Sequence, residues 1–305
     1  MAQRRLTDLL RVHPGAVDLG AVDPRGTPGL PKAAGKNAKQ WARDELTALG
    51  AELFAEQEKL FAAAKAGSSR QRLLLVLQAM DCGGKDGTIK KVVGQFNPQG
   101  VHIVGFGRPT QEELSHDFLW RIERALPQPG VIGVFNRSHY EDVLVARVHK
   151  LVPARTWRAR YGKINQFEER LAADGCAVVK VMLHISYAEQ RQRLLDRLDD
   201  PTKFWKYNPA DVDERALWPA YQEAYEEALS RCNSDVAPWH VVPADRKWYR
   251  DWAVATLLLE KLRELGLGYP PADFDPVAER RRLAARDGDA PGGRPAAEGA
   301  KVNSG

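Results

Sequence analysis

Five short apolar runs punctuate the chain, and the segments between them repeat at helical spacing. The first run, Leu73 to Leu77, sets five apolar residues in a row between Arg72 and Gln78, with no alternation. Such a run predicts a strand covered on both faces, as in a parallel sheet. Runs at 101–106, 131–135, 177–185 and 240–242 predict four more. Ahead of the first strand, Leu46, Leu49, Leu53, Leu60 and Phe61 recur at helical spacing and predict a long amphipathic helix from Trp41 to Ala66. Further helical patterns cover 84–93, 111–125, 156–173, 188–198, 213–232 and 248–265. Strands alternating with helices predict an α/β/α sandwich with a mostly parallel sheet.

The two ends depart from this pattern. Residues 1–40 carry Gly and Pro with little periodicity and are expected to form an irregular arm, lying over the main domain or partly mobile. Residues 41–270 form the main domain. From Pro271 to Gly305 apolar bulk nearly vanishes and six basic residues balance six acidic ones, so 271–305 is expected to be a disordered tail. With 305 residues, 44% hydrophobic and 28% charged, the chain is neither collagen-like, a coiled coil nor wholly disordered. Cys82, Cys176 and Cys232 stand far apart, which supports neither a disulfide framework nor a zinc site. The N-terminus lacks a signal-peptide pattern, and no apolar run reaches the ~18 residues of a membrane span. A cytoplasmic location is expected.

The net charge is +5, and it is unevenly spread. Between Arg147 and Lys206 there are thirteen Lys or Arg against seven Asp or Glu, a balance suited to a phosphate-bearing partner.

The strongest chemical signal is Ala79-Met80-Asp81-Cys82-Gly83-Gly84-Lys85-Asp86-Gly87-Thr88, directly after the first strand and opening a helix. A strand, a glycine-rich turn and a helix that starts with Lys describe a phosphate loop. Gly83, Gly84 and Gly87 let backbone N–H groups converge on an anion, and Lys85 reaches the terminal phosphates. The match to GxxxxGK[ST] is incomplete, since Ala79 replaces the first Gly and Asp86 follows the Lys. Carboxylates beside phosphates repel them unless a divalent cation intervenes. Asp81 is therefore a candidate Mg²⁺ ligand, and Asp86 either assists or caps the helix.

The strand at 131–135 runs into Asn136-Arg137-Ser138-His139-Tyr140-Glu141-Asp142. In a parallel sheet its tip lies beside the phosphate loop, as a Walker B strand does, and Arg137 points a charge at the same phosphates or pairs with Glu141. On a third segment Arg193 and Arg197 share a helix face, followed by Lys203 and Lys206. Arginine-rich lids of this kind neutralise charge on a transferring phosphoryl group; the same residues serve equally as a solvated face salt-bridged to Asp196 and Asp200. His116, His139 and His184 show no ligand spacing, and most aromatic residues of the C-terminal third are expected in the core.

The runs MDCGGKDGTIKKV, FNPQGVHIVGF, HDFLWRI, FNRSHYEDVLVARVH, RLDDPTKFWKYNPAD and APWHVVPADRKWYR together resemble the polyphosphate kinase 2 family, from about Trp41 to Leu265. The resemblance implies a P-loop kinase-like fold with a helical lid, here about 147–210, and transfer of a phosphoryl group between inorganic polyphosphate and nucleotides with Mg²⁺. It implies catalytic roles for Asp81, Lys85, Arg137 and Arg197. Gly83, Gly84, Asp86, Gly87, Thr88, Asn136, Glu141, Arg193, Lys203 and Lys206 are expected around the phosphates and the nucleotide. The commonest pattern of the family has Asp where this chain has Asn136, and a basic residue at Glu141. The departure resembles the class III subgroup, which accepts both nucleoside mono- and diphosphates.

The expected partners are therefore polyphosphate, AMP, ADP and ATP, and further copies of the chain, with no nucleic acid and no membrane. The nearest rival is an ATP-dependent P-loop kinase. A nucleic-acid binder using the basic stretch is the rival from another class, but the acidic residues of the loop and the lack of an RNA-binding motif oppose it.

Overall fold

Strand β1 (Arg72–Ala79) is the axis of the fold, and every residue in it is buried. A computed structural model describes residues 5–287. Around β1 the strands β2 (Val101–Gly105), β3 (Ile132–Asn136), β4 (Cys176–His184) and β5 (Trp239–Pro243) complete one sheet in the order β2-β3-β1-β4-β5. All four pairings are parallel. Each strand lies within two residues of its apolar run.

Alternate residues of β1 feed two cores. Leu73, Leu75 and Leu77 face a layer built by α2 (Ala38–Lys65) and α11 (Lys247–Glu264), where Trp41 and Trp252 meet edge to face at 5.5 Å. Leu74 and Val76 face α7 (Ala154–Ala173) and α10 (Trp218–Arg231). Each buried leucine contributes roughly 1.5–3 kcal/mol, so this strand holds both layers to the sheet.

Two expected helices are each broken in two. The segment 111–125 forms α4 (Gln111–Leu114) and α5 (Trp120–Arg124), because Ser115 and Asp117 bond local backbone groups in place of a continuous helix. The segment 213–232 divides into α9 (Ala210–Ala216) and α10, with Pro219 in the first turn of the second helix.

The N-terminal arm is laid down along the domain. Its short helix α1 (Leu6–Leu10) buries Leu6 and Leu10, and Glu260 accepts from the N–H groups of Leu6 and Thr7. Val12 N–H donates to the Trp239 carbonyl, and Tyr249 Oη donates to that of Pro28.

The expected disorder of 271–305 is corrected in part: Pro276–Asp287 form helix α12, supported by a Glu279–Arg282 pair one turn apart. Its Ala, Glu, Arg and Leu residues are good helix formers, a property that low apolar content hides. The rest of that segment, from 288, lies outside the described residues.

Candidate active site

β1 ends at Ala79, and the chain turns sharply into α3 (Lys85–Lys91). The turn is sterically sealed. Gly84 has φ +106°, and a Cβ there would overlap the Arg250 guanidinium, which lies flat against the loop. Cys82 also adopts a left-handed φ of 61°, a conformation that costs a non-glycine residue ~1 kcal/mol or more. Three side chains hold it there: Lys85 Nζ donates to the Ala79 carbonyl at 3.0 Å, Gln190 Nε2 to Asp81 O at 3.0 Å, and Arg193 Nη1 to Cys82 O at 2.8 Å.

β3 lies beside β1 with Asn136 in register with Leu77. Its last residue therefore reaches the loop, and Asn136 Nδ2 donates to Asp86 Oδ1 at 3.0 Å. The backbone then reverses through Arg137, at φ 64°, which aims the guanidinium at Asp81 with Nη2 to Oδ1 of 3.2 Å.

A cleft of about 710 Å³ opens over this loop. Asp81, Gly83, Gly84, Lys85, Asp86, Gly87, Asn136, Arg137, Arg193, Arg197, Lys203 and Lys206 all line it, which brings together most of the residues expected from sequence. A second cavity of about 260 Å³ adjoins it and shares Asp81, Arg137, Asn208 and Asp211. Glu141 lines this second cavity, with Met80, Leu144, Val145, Tyr221 and Tyr225. Thr88 lines neither: one turn into α3 it points inward and is fully buried.

Electrostatically the two cavities meet in a compact charge cluster. Burial pulls the Lys85 ammonium below its ordinary value, and Arg137 adds to this, while Asp81, Glu141 and Asp86 oppose it. Burial pushes the Glu141 carboxyl up, against the pull of Arg137 and Lys85. The Asp211 carboxyl is raised too, by burial first and then by the charge of Asp81. Arg137 loses to burial but gains more from Glu141 and Asp81, so it stays firmly cationic.

The residue pattern and the geometry agree with one family. A polyphosphate kinase 2 model matches residues 37–266. The chain belongs to the polyphosphate kinase 2 family. It is 46% identical over 261 residues to an AMP/ADP-polyphosphate phosphotransferase of Meiothermus ruber, covering 85% of this chain and 94% of the relative. An ADP-polyphosphate phosphotransferase of Rhodopseudomonas palustris is 43% identical over 231 residues, covering 72% and 79% of the two chains. The crystal structure of polyphosphate kinase 2 from Arthrobacter aurescens TC1 superposes with a TM-score of 0.88 at 49% identity, covering 93% and 98%.

For this polyphosphate kinase 2 chain, the lid expected from the basic stretch is corrected. The lid does not span 147–210, because α7 and β4 belong to the core; the elements over the cleft are α8 (Tyr187–Leu198), the turn Pro201–Lys206 and α9. Nor is the stretch a continuous cationic surface, since Lys180 is wholly buried. Of its cations only Arg193, Arg197, Lys203 and Lys206 line the cleft. Arg193 and Arg197 also differ in employment. The Arg193 guanidinium is taken up by Glu189 at 2.9 Å and by the carbonyls of Cys82 and Ala244 at 2.8 and 2.5 Å, whereas Arg197 donates to Lys206 O at 2.8 Å and lies 3.5 Å from Asp211.

The cleft residues that went unassigned in the sequence include Asp211 and two cations, Lys247 and Arg250. A signal existed. Arg246, Lys247 and Arg250 crowd the first turn of α11, where cations oppose the helix dipole and are favoured only if an anion comes close.

Proposed function

We propose that this chain transfers a phosphoryl group from inorganic polyphosphate to AMP and ADP, giving ADP and ATP. One observation carries the reading of the site: a cation-rich cleft and a smaller cavity that presents tyrosine and apolar side chains meet at Asp81 and Arg137. The larger is rimmed by Arg197, Lys203, Lys206, Lys247 and Arg250 and suits a polyanion with no apolar part. The smaller sets Met80, Leu144, Val145, Tyr221 and Tyr225 among polar groups that include Glu141, His149, Gln190 and Glu214, which suits a nucleoside carrying its phosphate toward Arg137. The M. ruber relative, named for both AMP and ADP, supports the acceptor range.

In this reading Lys85, Arg137 and Arg197 neutralise the transferring group, and the tightly held loop fixes the donor phosphate in line with the acceptor. The acceptor oxygen is already ionised, so the protein needs no nucleophile of its own. Arg193 acts on the loop by holding the Cys82 carbonyl. A divalent cation suits the residues present: Asp81 and Asp211 are hard oxygen donors that line both cavities, and the charge of Asp81 contributes to raising Asp211. Among the described residues no cluster of three or more His, Cys, Asp or Glu stands ready for a metal. That matches Mg²⁺, which takes one or two carboxylates and fills its shell with phosphate and water. When bound, Mg²⁺ would supply positive charge between the two phosphate chains. A cytoplasmic setting is supported by three free cysteines; among the described residues no helix is long and apolar enough to cross a membrane.

The test is to incubate the protein with AMP or with ADP, polyphosphate and Mg²⁺, with no other donor, and to resolve the nucleotides. ADP and ATP should appear from AMP, and ATP from ADP. Conversion that occurs only when ATP is supplied would make the chain an ATP-dependent kinase instead.

A further inference from the structure

Inside the core that faces α7 and α10, a lysine and a glutamate are buried together. Lys180 is 0% exposed and Glu168 1%. Lys180 Nζ lies 2.6 Å from Glu168 Oε2, and donates to Tyr140 Oη at 2.9 Å and to the Cys232 carbonyl at 2.8 Å. Glu168 Oε1 accepts from Tyr140 Oη at 2.8 Å and lies 3.3 Å from His139 Nε2. The ammonium also sits over the rings of Tyr140 and Trp239, at 5.3 and 5.1 Å. A buried ion pair is a poor stabiliser, because apolar residues of similar volume often hold a core equally well. Stability alone does not explain this one.

Its connections do. His139 and Tyr140 stand in the short turn that separates Arg137 from Glu141. Ser138 anchors the same turn, accepting from Tyr140 N–H at 3.2 Å and from Gln78 Nε2 at 3.1 Å. Cys232 closes α10, the helix that carries Tyr221 and Tyr225 into the smaller cavity. The ion pair thus joins β4, α7, the Arg137–Glu141 turn and the end of α10, so two walls of one cavity are registered against a single fixed charge.

We propose that Glu168 and Lys180 are positioning residues, which set the separation between the Arg137–Glu141 turn and α10 and so the fit of the acceptor. The proposal rests on the smaller cavity being the acceptor site. Tyr140 is the link, because its hydroxyl ties the turn to the pair.

The test uses two variants, Tyr140→Phe and the double Glu168→Leu with Lys180→Met, and two titrations: AMP varied at saturating polyphosphate, and polyphosphate varied at saturating AMP. Thermal unfolding is measured alongside. Tyr140→Phe should lower kcat/KM for AMP by about 10-fold, and the double variant by about 10- to 100-fold, as misplacement by a fraction of an ångström does. The KM for polyphosphate should stay within about two-fold, and the double variant should unfold close to the wild-type temperature. Recovery of both unfolding temperature and acceptor kcat/KM in the double variant would overturn the proposal. So would an unchanged Tyr140→Phe, or a rise in polyphosphate KM matching that for AMP. Should the double variant fail to fold, Tyr140→Phe decides. A wild-type enzyme that ignores AMP but phosphorylates ADP moves the same assay to ADP; one that ignores both refutes the proposed function instead.

Discussion

The two cavities meeting at Asp81 and Arg137 are built by different means. The cation-rich cleft draws Lys203 and Lys206 from a turn and Lys247 and Arg250 from the start of α11, and most of these reach it on long side chains. Its smaller neighbour is walled in part by side chains anchored in the core, with Tyr225 buried and Tyr221 held by Glu214 at 3.0 Å, and in part by Asn208, Ala210 and Asp211. A repeating polyanion presents the same charge at every step, so charge density serves it and register does not. A nucleotide has one correct placement, and that placement demands fixed walls. Recognition by charge tolerates loose parts; recognition by shape must be supported from beneath.

The hardest test of this contrast removes the lysine at the foot of the cleft, beside the residues that both cavities share. Lys85→Ala should lower kcat by ~10²-fold or more, with both substrates still bound and the circular dichroism spectrum unchanged; near-normal turnover would remove Lys85 from the chemistry. Arg197→Ala comes next, and should reduce kcat by ~10-fold or more while KM moves less, since its contact strengthens in the transition state. Equal small effects from Arg197, Lys203 and Lys206 would mark the lid as a solvated face. Then the cavities are separated. Asn136→Asp combined with Glu141→Arg should depress the AMP reaction by roughly 10-fold relative to ADP, because an acid in the cleft and a base in the smaller cavity favour one charge arrangement where the neutral amide and the glutamate tolerate two. Lys203→Ala or Lys206→Ala should raise the KM for polyphosphate a few-fold and flatten its salt dependence, leaving that for AMP unchanged.

The smallest expected effect guards the comparison against acid unfolding. His240 is buried with Nδ1 3.2 Å from the Lys180 carbonyl, and burial lowers its value from 6.5 to about 4. The unfolded chain therefore binds the proton first. The stability contributed by neutral His240 is complete above pH 6.5 and is lost progressively as pH falls toward 4, on the order of 2 kcal/mol by pH 5. Urea unfolding at pH 7 and pH 5 should show a smaller loss for His240→Gln than for the wild type. An equal loss would assign the acid sensitivity to other groups, and rate profiles of the two cavities would then need a different correction.

What the sequence revealed follows from contiguity. The phosphate loop was legible because strand, glycines and lysine are neighbours in the chain, and four of the strands were legible because burial leaves a mainly apolar run; β2, at the sheet edge, exposes His102, Ile103 and Gly105 and was legible from its apolar residues alone. Lys247 and Arg250 were not, since only the fold brings them to residues 81–87. Lys180 was misjudged by counting charge along a line: set between Val179 and Val181 in a run expected to be buried, it carried its own warning. The helix breaks at 115–119 and at 217 escaped because helical spacing persists across them while local side chain-to-backbone bonds and Pro219 do not show in a periodicity.

Arg193 bears on the order in which a growing polypeptide becomes a working protein. Its guanidinium joins Cys82 to Ala244 and Asp245, and Arg250 seals the same loop from further along still. A nascent chain that has passed residue 88 holds the whole contiguous motif but, of the groups that close it, only Lys85. Since β1 must also wait for β4 to pair, the loop takes its final shape only after the last strand has docked. Such non-local closure slows folding, and it makes the phosphate loop a late structure, whose shape is complete only when the last quarter of the domain is in place.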